Sequence, residues 1–144
     1  MKDLAFFEMP VIVFAKDKEM LHSIYMTLLT NGFKKIFRAS SLTELYNVPE
    51  LDYSVVFFDA HLSNVEEEKE IVSSILSALL KSLVVVAVDG SGSECASSFL
   101  NAGVFDYMVK PIDETRLLTS ISNAIKLVQI MKENKKLRSS CNGE

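Results

Sequence analysis

A single carboxylate, Asp59, stands at the end of a run that is too apolar for an exposed strand. Five of the seven residues from Tyr53 to Asp59 are apolar. Such a run is typical of a strand that is covered on both faces, as in a parallel sheet. Ligands of open α/β sheets bind at the carboxyl ends of the strands. We therefore interpret Asp59 as the candidate functional residue, a carboxylate that could accept a phosphoryl group.

Strands and helices that alternate along the chain must position this residue. Short apolar runs predict strands at 11–15, 35–39, 53–59, 84–88 and 105–109. Apolar residues at helical spacing predict helices at 18–30, 67–80 and 94–102, and a last helix that begins after Asp113 and runs to about 136. The apolar residues of the helix at 67–80 that we expect to face inward are Ile71, Ile75, Leu79 and Leu80.

Polar residues and glycines mark where these helices begin and end. Asp17 and Asp113 are expected N-caps, and Ser41 with Glu44 forms the capping box of a short helix that ends near 47. Gly103 is expected to end the helix at 94–102. The 89–93 stretch before this helix, rich in glycine and serine, is predicted to be a flexible loop.

The alternation predicts one α/β domain, a doubly wound five-stranded parallel sheet with helices on both faces, in a (βα)5 order. We divide the chain into an N-terminal extension at 1–9, the domain at 10–128, and an extension of the last helix with a C-terminal tail at 129–144. A length of 144 residues suits one such domain.

Composition and net charge argue against a nucleic-acid-binding protein, a membrane-spanning protein and a zinc site. Apolar residues make up 49% of the chain, charged residues 24%, and the net charge is −4. A negative net charge gives no reason to expect nucleic-acid binding, and no apolar run approaches the length of a membrane span. The two cysteines, Cys95 and Cys141, are far apart in sequence, which favours a reducing, cytoplasmic compartment and offers no cluster for zinc.

The segment 101–111, NAGVFDYMVKP, is close to a motif, A-G-A-x-D-Y-L-x-K-P, of the receiver domains of bacterial response regulators. Together with an aspartate that ends the third strand, it makes 10–128 resemble a CheY-like receiver domain. The resemblance implies that Asp59 is the phosphoacceptor, that Lys110 binds the phosphoryl group, and that the Lys110-Pro111 bond is cis. It also implies a histidine kinase as partner, output through protein contacts in two-component signalling, and no enzyme activity beyond autocatalytic phosphoryl transfer to its own aspartate.

The sequence departs from the family at the positions that bind Mg²⁺ in receiver domains. Receiver domains hold Mg²⁺ with an acidic pair at the end of the first strand, where this chain has Ala15 and Lys16. Asp17 stands one position later, where it suits an N-cap better than a metal ligand. The usual Mg²⁺ ligands are therefore largely missing, and Asp59 and Asp17 make at most a weak metal site.

Two further family positions bear on switching. The hydroxyl residue that ends the fourth strand is replaced by Val88, which cannot hydrogen-bond a phosphoryl group. Tyr107 fills the aromatic switch position. The loop after Asp59 reads Leu62-Ser63-Asn64 instead of Met-Pro-Gly.

These departures leave an alternative, a pseudo-receiver that binds proteins without phosphorylation. In it, Lys16 would replace the charge of Mg²⁺ in a Lys16–Asp59–Lys110 cluster. In either case the family analogy places the contact surface around Phe99, Tyr107 and Leu118. A homodimer through the last helix is a further alternative, and a small-molecule binder on a flavodoxin-like fold is a weaker one, since no cofactor motif supports it.

Overall fold

Five parallel strands form one sheet in the order β2-β1-β3-β4-β5. The computed structural model describes residues 4–49, 51–60, 65–89 and 93–142. The strands are β1 (Val11–Phe14), β2 (Ile36–Ala39), β3 (Val55–Asp59), β4 (Leu83–Val88) and β5 (Asp106–Val109). The helices are α1 (Leu4–Phe7), α2 (Lys18–Thr30), α3 (Leu42–Tyr46), α4 (Val65–Ala78), α5 (Ser93–Ala102) and α6 (Glu114–Asn142). The predicted fold class is confirmed.

The central strand β3 is buried along its whole length, which is why its sequence is a continuous apolar run. Phe57 faces a core layer with α2 and α6, while Phe58 faces the other layer with α3, α4 and α5. Fully burying one such side chain stabilises the fold by about 1.5–3 kcal/mol. Both faces of the sheet are therefore covered, and only the strand ends are open to a ligand.

Most predicted helix caps are observed. The Asp17 carboxylate accepts the Glu19 N–H at 3.0 Å, and Asp113 accepts the Arg116 N–H at 2.9 Å. Ser41 accepts the Glu44 N–H at 3.2 Å. Gly103 follows α5 with a φ of +113°, a conformation that glycine adopts without strain.

Three local predictions were wrong. The third strand begins at Val55, because Tyr53 lies in a turn with a φ of +59° that a strand does not allow. Helix α4 ends at Ala78, so Leu80 lies in the turn beyond it and is exposed, while Val72 is buried. The short helix α1 in the N-terminal extension was not predicted; its Phe6 and Phe7 rings pack on Phe33.

Helix α6 continues past position 128 to Asn142, as expected of an extension of the last helix, while the division of the chain at 128 stays a prediction. None of the described helices is long and apolar enough to cross a membrane. The predictions for the 62–64 loop and for the glycines at 90 and 92 lie outside the described residues.

Candidate functional site

The carboxylate of Asp59 is fully buried at the carboxyl end of the central strand. Its position opposite Ala87 of β4 places it at the edge of the sheet where ligands of this architecture bind. The next residue continues the sheet edge, since the Ala60 N–H donates to the Ala87 carbonyl at 2.9 Å. A buried ionised carboxylate needs a compensating charge.

Lys110 supplies that charge from the end of β5. Its backbone N–H donates to the Val88 carbonyl at 2.8 Å, which places the residue beside β4. The Lys110 ammonium forms an ion pair with Asp59 Oδ1 and donates to the Ala60 carbonyl at 3.0 Å. The Lys110-Pro111 peptide bond is cis, in agreement with the resemblance. The two residues that sequence reasoning placed in one site are therefore in contact.

Asp89 is a third member of the site that the sequence analysis missed. It follows β4 directly, and its Oδ1 lies 3.3 Å from the Lys110 Nζ. Its side chain is 37% exposed, so it forms the outer wall beside the buried Asp59. Composition placed it in a glycine-rich loop. The usable signal was its position, one residue past a buried strand at the same sheet edge as Asp59.

The end of β1 does not form an acidic corner. Ala15 is buried and donates its N–H to the Ala39 carbonyl, and Asp17 is exposed and occupied as the cap of α2. Lys16 is exposed, and within the described part of the chain no ion pair joins it to Asp59. These residues do not fit the carboxylate pair that holds Mg²⁺ in receiver domains. The proposed Lys16–Asp59–Lys110 cluster is likewise not formed.

The two switch positions lie on the neighbouring strands β4 and β5, two residues apart in register. Val88 is buried, and its side chain packs in the same core layer as Phe58. Tyr107 in β5 pairs with Val86 and is partly buried against this layer. Val88 therefore serves the core, as an apolar residue at the end of a buried strand is expected to do.

A second carboxylate–cation pair lies on β5 and α6. The Arg116 guanidinium forms two parallel bonds to Asp106, at 2.8 and 2.9 Å. The Ser120 hydroxyl and the Tyr107 N–H also donate to this carboxylate. Burial raises the pKa of Asp106, but the bonds from Arg116, Ser120 and Tyr107 outweigh it and hold that pKa below its ordinary value. The same contact raises the pKa of Arg116.

A groove lies at the opposite end of the sheet. It has a volume of about 480 Å³ and lies between the N-terminal segment, the start of β3 and α6. Its walls carry charges of both signs, Glu8 and Asp52 against Lys35 and Lys132. It holds no buried ionisable group, so we place the candidate site at Asp59 by its chemistry and not by cavity size.

The proteins that resemble this chain include response regulators. No family model matches the chain. A putative NtrX-like response regulator of Rickettsia typhi is 24% identical over 133 residues, which are 92% of this chain and 28% of that protein. An NtrX-like regulator of Rickettsia bellii is also 24% identical. The chain thus spans less than a third of the length of these relatives.

Solved structures resemble the fold over most of the chain. The signal receiver domain of a two-component response regulator from Bacteroides fragilis has a TM-score of 0.73 and 25% identity, and covers 82% of this chain and 97% of that one. A response regulator receiver domain from Clostridium thermocellum has a TM-score of 0.72 and 23% identity, with 85% and 98% covered. The resemblance read from 101–111 is confirmed.

Proposed function

We propose that this chain, a receiver domain of the two-component response regulator type, accepts a phosphoryl group on Asp59 and passes the signal on by protein contacts. One observation carries the proposal: a fully buried strand-end carboxylate is paired with the ammonium of Lys110. Charged side chains are seldom fully buried, and the carboxyl ends of the strands are where ligands bind in open α/β sheets.

The chemistry asks little of the protein beyond position and charge. An Asp59 oxygen attacks the phosphorus of a phosphohistidine on the kinase, a P–O bond forms and the P–N bond breaks. The departing imidazole nitrogen takes up a proton, and Asp59 becomes an acyl phosphate. Negative charge is spread over the phosphoryl oxygens in the transition state, and the Lys110 ammonium is placed to stabilise it.

Within the described part of the chain, Lys110 is the cation paired with Asp59. In related domains Mg²⁺ adds charge stabilisation worth several kcal/mol, but Ala15, Lys16 and Asp17 do not offer its ligands. We therefore derive no step through a metal ion. Transfer to Asp59 is expected to be slow compared with a domain that retains its acidic pair.

Output contacts are proposed for the face formed by α5, β5 and α6. The residues expected there from sequence need one correction, because Phe99 is buried in the core and cannot make a contact. Leu100 on α5 and Val109 on β5, which are 42% and 45% exposed, are apolar side chains that this face offers to a partner. An exposed apolar residue on a β-strand edge and one on the neighbouring helix suit a protein surface better than a small ligand.

Acetyl phosphate labelling tests the proposal. The chain is incubated with acetyl phosphate, with and without Mg²⁺, and the bound phosphoryl group is counted by intact-mass spectrometry. Wild type is expected to take up one group and Asp59→Asn none, while the matched variant Asp106→Asn keeps the label. Absence of label on wild type under both conditions would overturn the proposal and favour a phosphorylation-independent binding module.

A further inference from the structure

The Lys110 ammonium has three N–H donors and meets three oxygen atoms. They are Oδ1 of Asp59, the Ala60 carbonyl at 3.0 Å and Oδ1 of Asp89 at 3.3 Å. The side chain is only 14% exposed, so little room is left for water to serve as a further acceptor. A phosphoryl oxygen that approaches this ammonium therefore competes with one hydrogen-bonded carbonyl and two paired carboxylates.

The three acceptors are not equally easy to displace. The Ala60 carbonyl belongs to the backbone at the end of β3, where the Ala60 N–H is fixed to Ala87. Asp59 is the residue that carries the phosphoryl group. Asp89 makes the longest of the three contacts and has the most exposed side chain, so its carboxylate can turn into water at the lowest cost in desolvation.

We propose that Asp89 is a positioning residue that occupies, on Lys110, the place of the incoming phosphoryl oxygen. This inference rests on the proposed phosphorylation of Asp59. In the unphosphorylated domain Asp89 holds the ammonium between two carboxylates. When Asp59 is phosphorylated, a phosphoryl oxygen takes over the Lys110 donor, and the negative charge of the new group drives the Asp89 carboxylate away.

This exchange gives the end of β4 a response to phosphorylation although Val88 has no hydroxyl. Phosphorylation releases the adjacent residue, Asp89, from its contact with Lys110. A hydroxyl at position 88 would instead be drawn into a contact with the phosphoryl group. Asp89 also opposes the acyl phosphate, because it competes for Lys110 and adds a like charge beside the phosphoryl group. The level of phosphorylation at a given donor concentration is therefore set partly by Asp89.

The test measures the fraction of chain labelled by acetyl phosphate at several donor concentrations. Asp89→Asn is expected to raise the labelled fraction at subsaturating donor by about fivefold, since a unit charge 4 Å away has at least that effect even in water. Asp89→Glu keeps the charge and reaches the same ammonium, so it should return the fraction to the wild-type level. Asp52→Asn, at the opposite end of the sheet, controls for net charge and should leave labelling unchanged.

A second measurement asks whether Asp89 acts through Lys110. Urea unfolding midpoints are compared for Asp89→Asn, Lys110→Met and the double variant. Direct contact predicts that the two substitutions are non-additive. Additive effects would overturn the positioning role, as would an Asp89→Asn fraction equal to wild type when wild type is labelled. If wild type itself takes no label, the proposed function fails and this inference fails with it.

Discussion

Two carboxylate–cation pairs meet the strand β5, and they are built for different purposes. Asp59 is buried and Lys110 is 14% exposed, and this cation is a point charge that contacts three different oxygens. Asp106 and Arg116 are partly exposed, and the planar guanidinium donates one hydrogen bond to each carboxylate oxygen in a fixed geometry. A lysine can exchange one acceptor for another, whereas a bidentate arginine is locked to its partner.

This difference assigns the roles of the two pairs. The Asp106–Arg116 pair, with Ser120, ties the first turns of α6 to β5 and so fixes the helix on the sheet. The Asp59–Lys110 pair makes no such tie between a helix and the sheet. It places a carboxylate and an ammonium at the open sheet edge, an arrangement that suits the proposed phosphoryl transfer.

Removing the lysine is expected to have the largest effect on stability. Lys110→Met leaves the buried Asp59 charge without its partner and should lower the free energy of unfolding by about 3 kcal/mol, as for other broken buried pairs. Urea denaturation measures this loss. Asp59→Asn in the Lys110→Met background removes the unpaired charge and should restore most of the stability. A Lys110→Met chain as stable as wild type would contradict the account of a buried pair.

Replacing the arginine tests the role of geometry in the second pair. Arg116→Lys keeps the charge but loses the parallel bonds to Asp106, so the free energy of unfolding should fall by about 1–2 kcal/mol. The same measurement on Arg116→Met should show little further loss. If Arg116→Lys were as stable as wild type, charge alone would explain the contact and the contrast with Lys110 would disappear.

Asp106 should make the stability of the fold depend on pH in the acid range. Its pKa is lower in the folded chain than the ordinary value of 3.8, because the bonds from Arg116, Ser120 and Tyr107 outweigh the effect of burial. The stabilisation is therefore complete above that ordinary value and is lost as the pH falls through the folded pKa. Between neutral pH and pH values below 3.8, the midpoint temperature of thermal unfolding should fall less steeply for Asp106→Asn than for wild type. Equal slopes would contradict this assignment.

The smallest effect is expected at Lys16. Its side chain is exposed and is not paired with Asp59 in the described part of the chain. Lys16→Ala should change the free energy of unfolding by no more than about 0.5 kcal/mol and leave acetyl phosphate labelling unchanged. A loss of several kcal/mol in Lys16→Ala would instead support a charge cluster of Lys16, Asp59 and Lys110.

The fold could be predicted from the sequence because the apolar runs, the helix caps and the helix ends all indicated the same order of strands and helices. The five apolar runs, the caps at Asp17 and Asp113 and the helix ends were local features with local causes. Sequence reasoning failed where a local pattern was overruled, as at Tyr53, where a turn of positive φ interrupts a plausible strand. It also failed at Leu80, where the apolar spacing continued past the real end of α4.

The site was predicted only in part, because it depends on contacts between distant strand ends. Asp59 was found as the carboxylate that ends an apolar run and Lys110 through the family motif, and the structure brings them into contact. Asp89 could not be found by composition, because its stretch reads as a flexible loop. Lys16 was placed near Asp59 by counting along β1, but a long, strongly hydrated side chain at a strand end turns to solvent.

The central claim is that Asp59 is the residue that carries the phosphoryl group. Borohydride reduction of the chain after acetyl phosphate treatment converts an aspartyl phosphate to homoserine, which tandem mass spectrometry assigns to one position. The account predicts homoserine at position 59 and at no other aspartate, including Asp17 and Asp89. Homoserine at either of those positions, or at none, would contradict it.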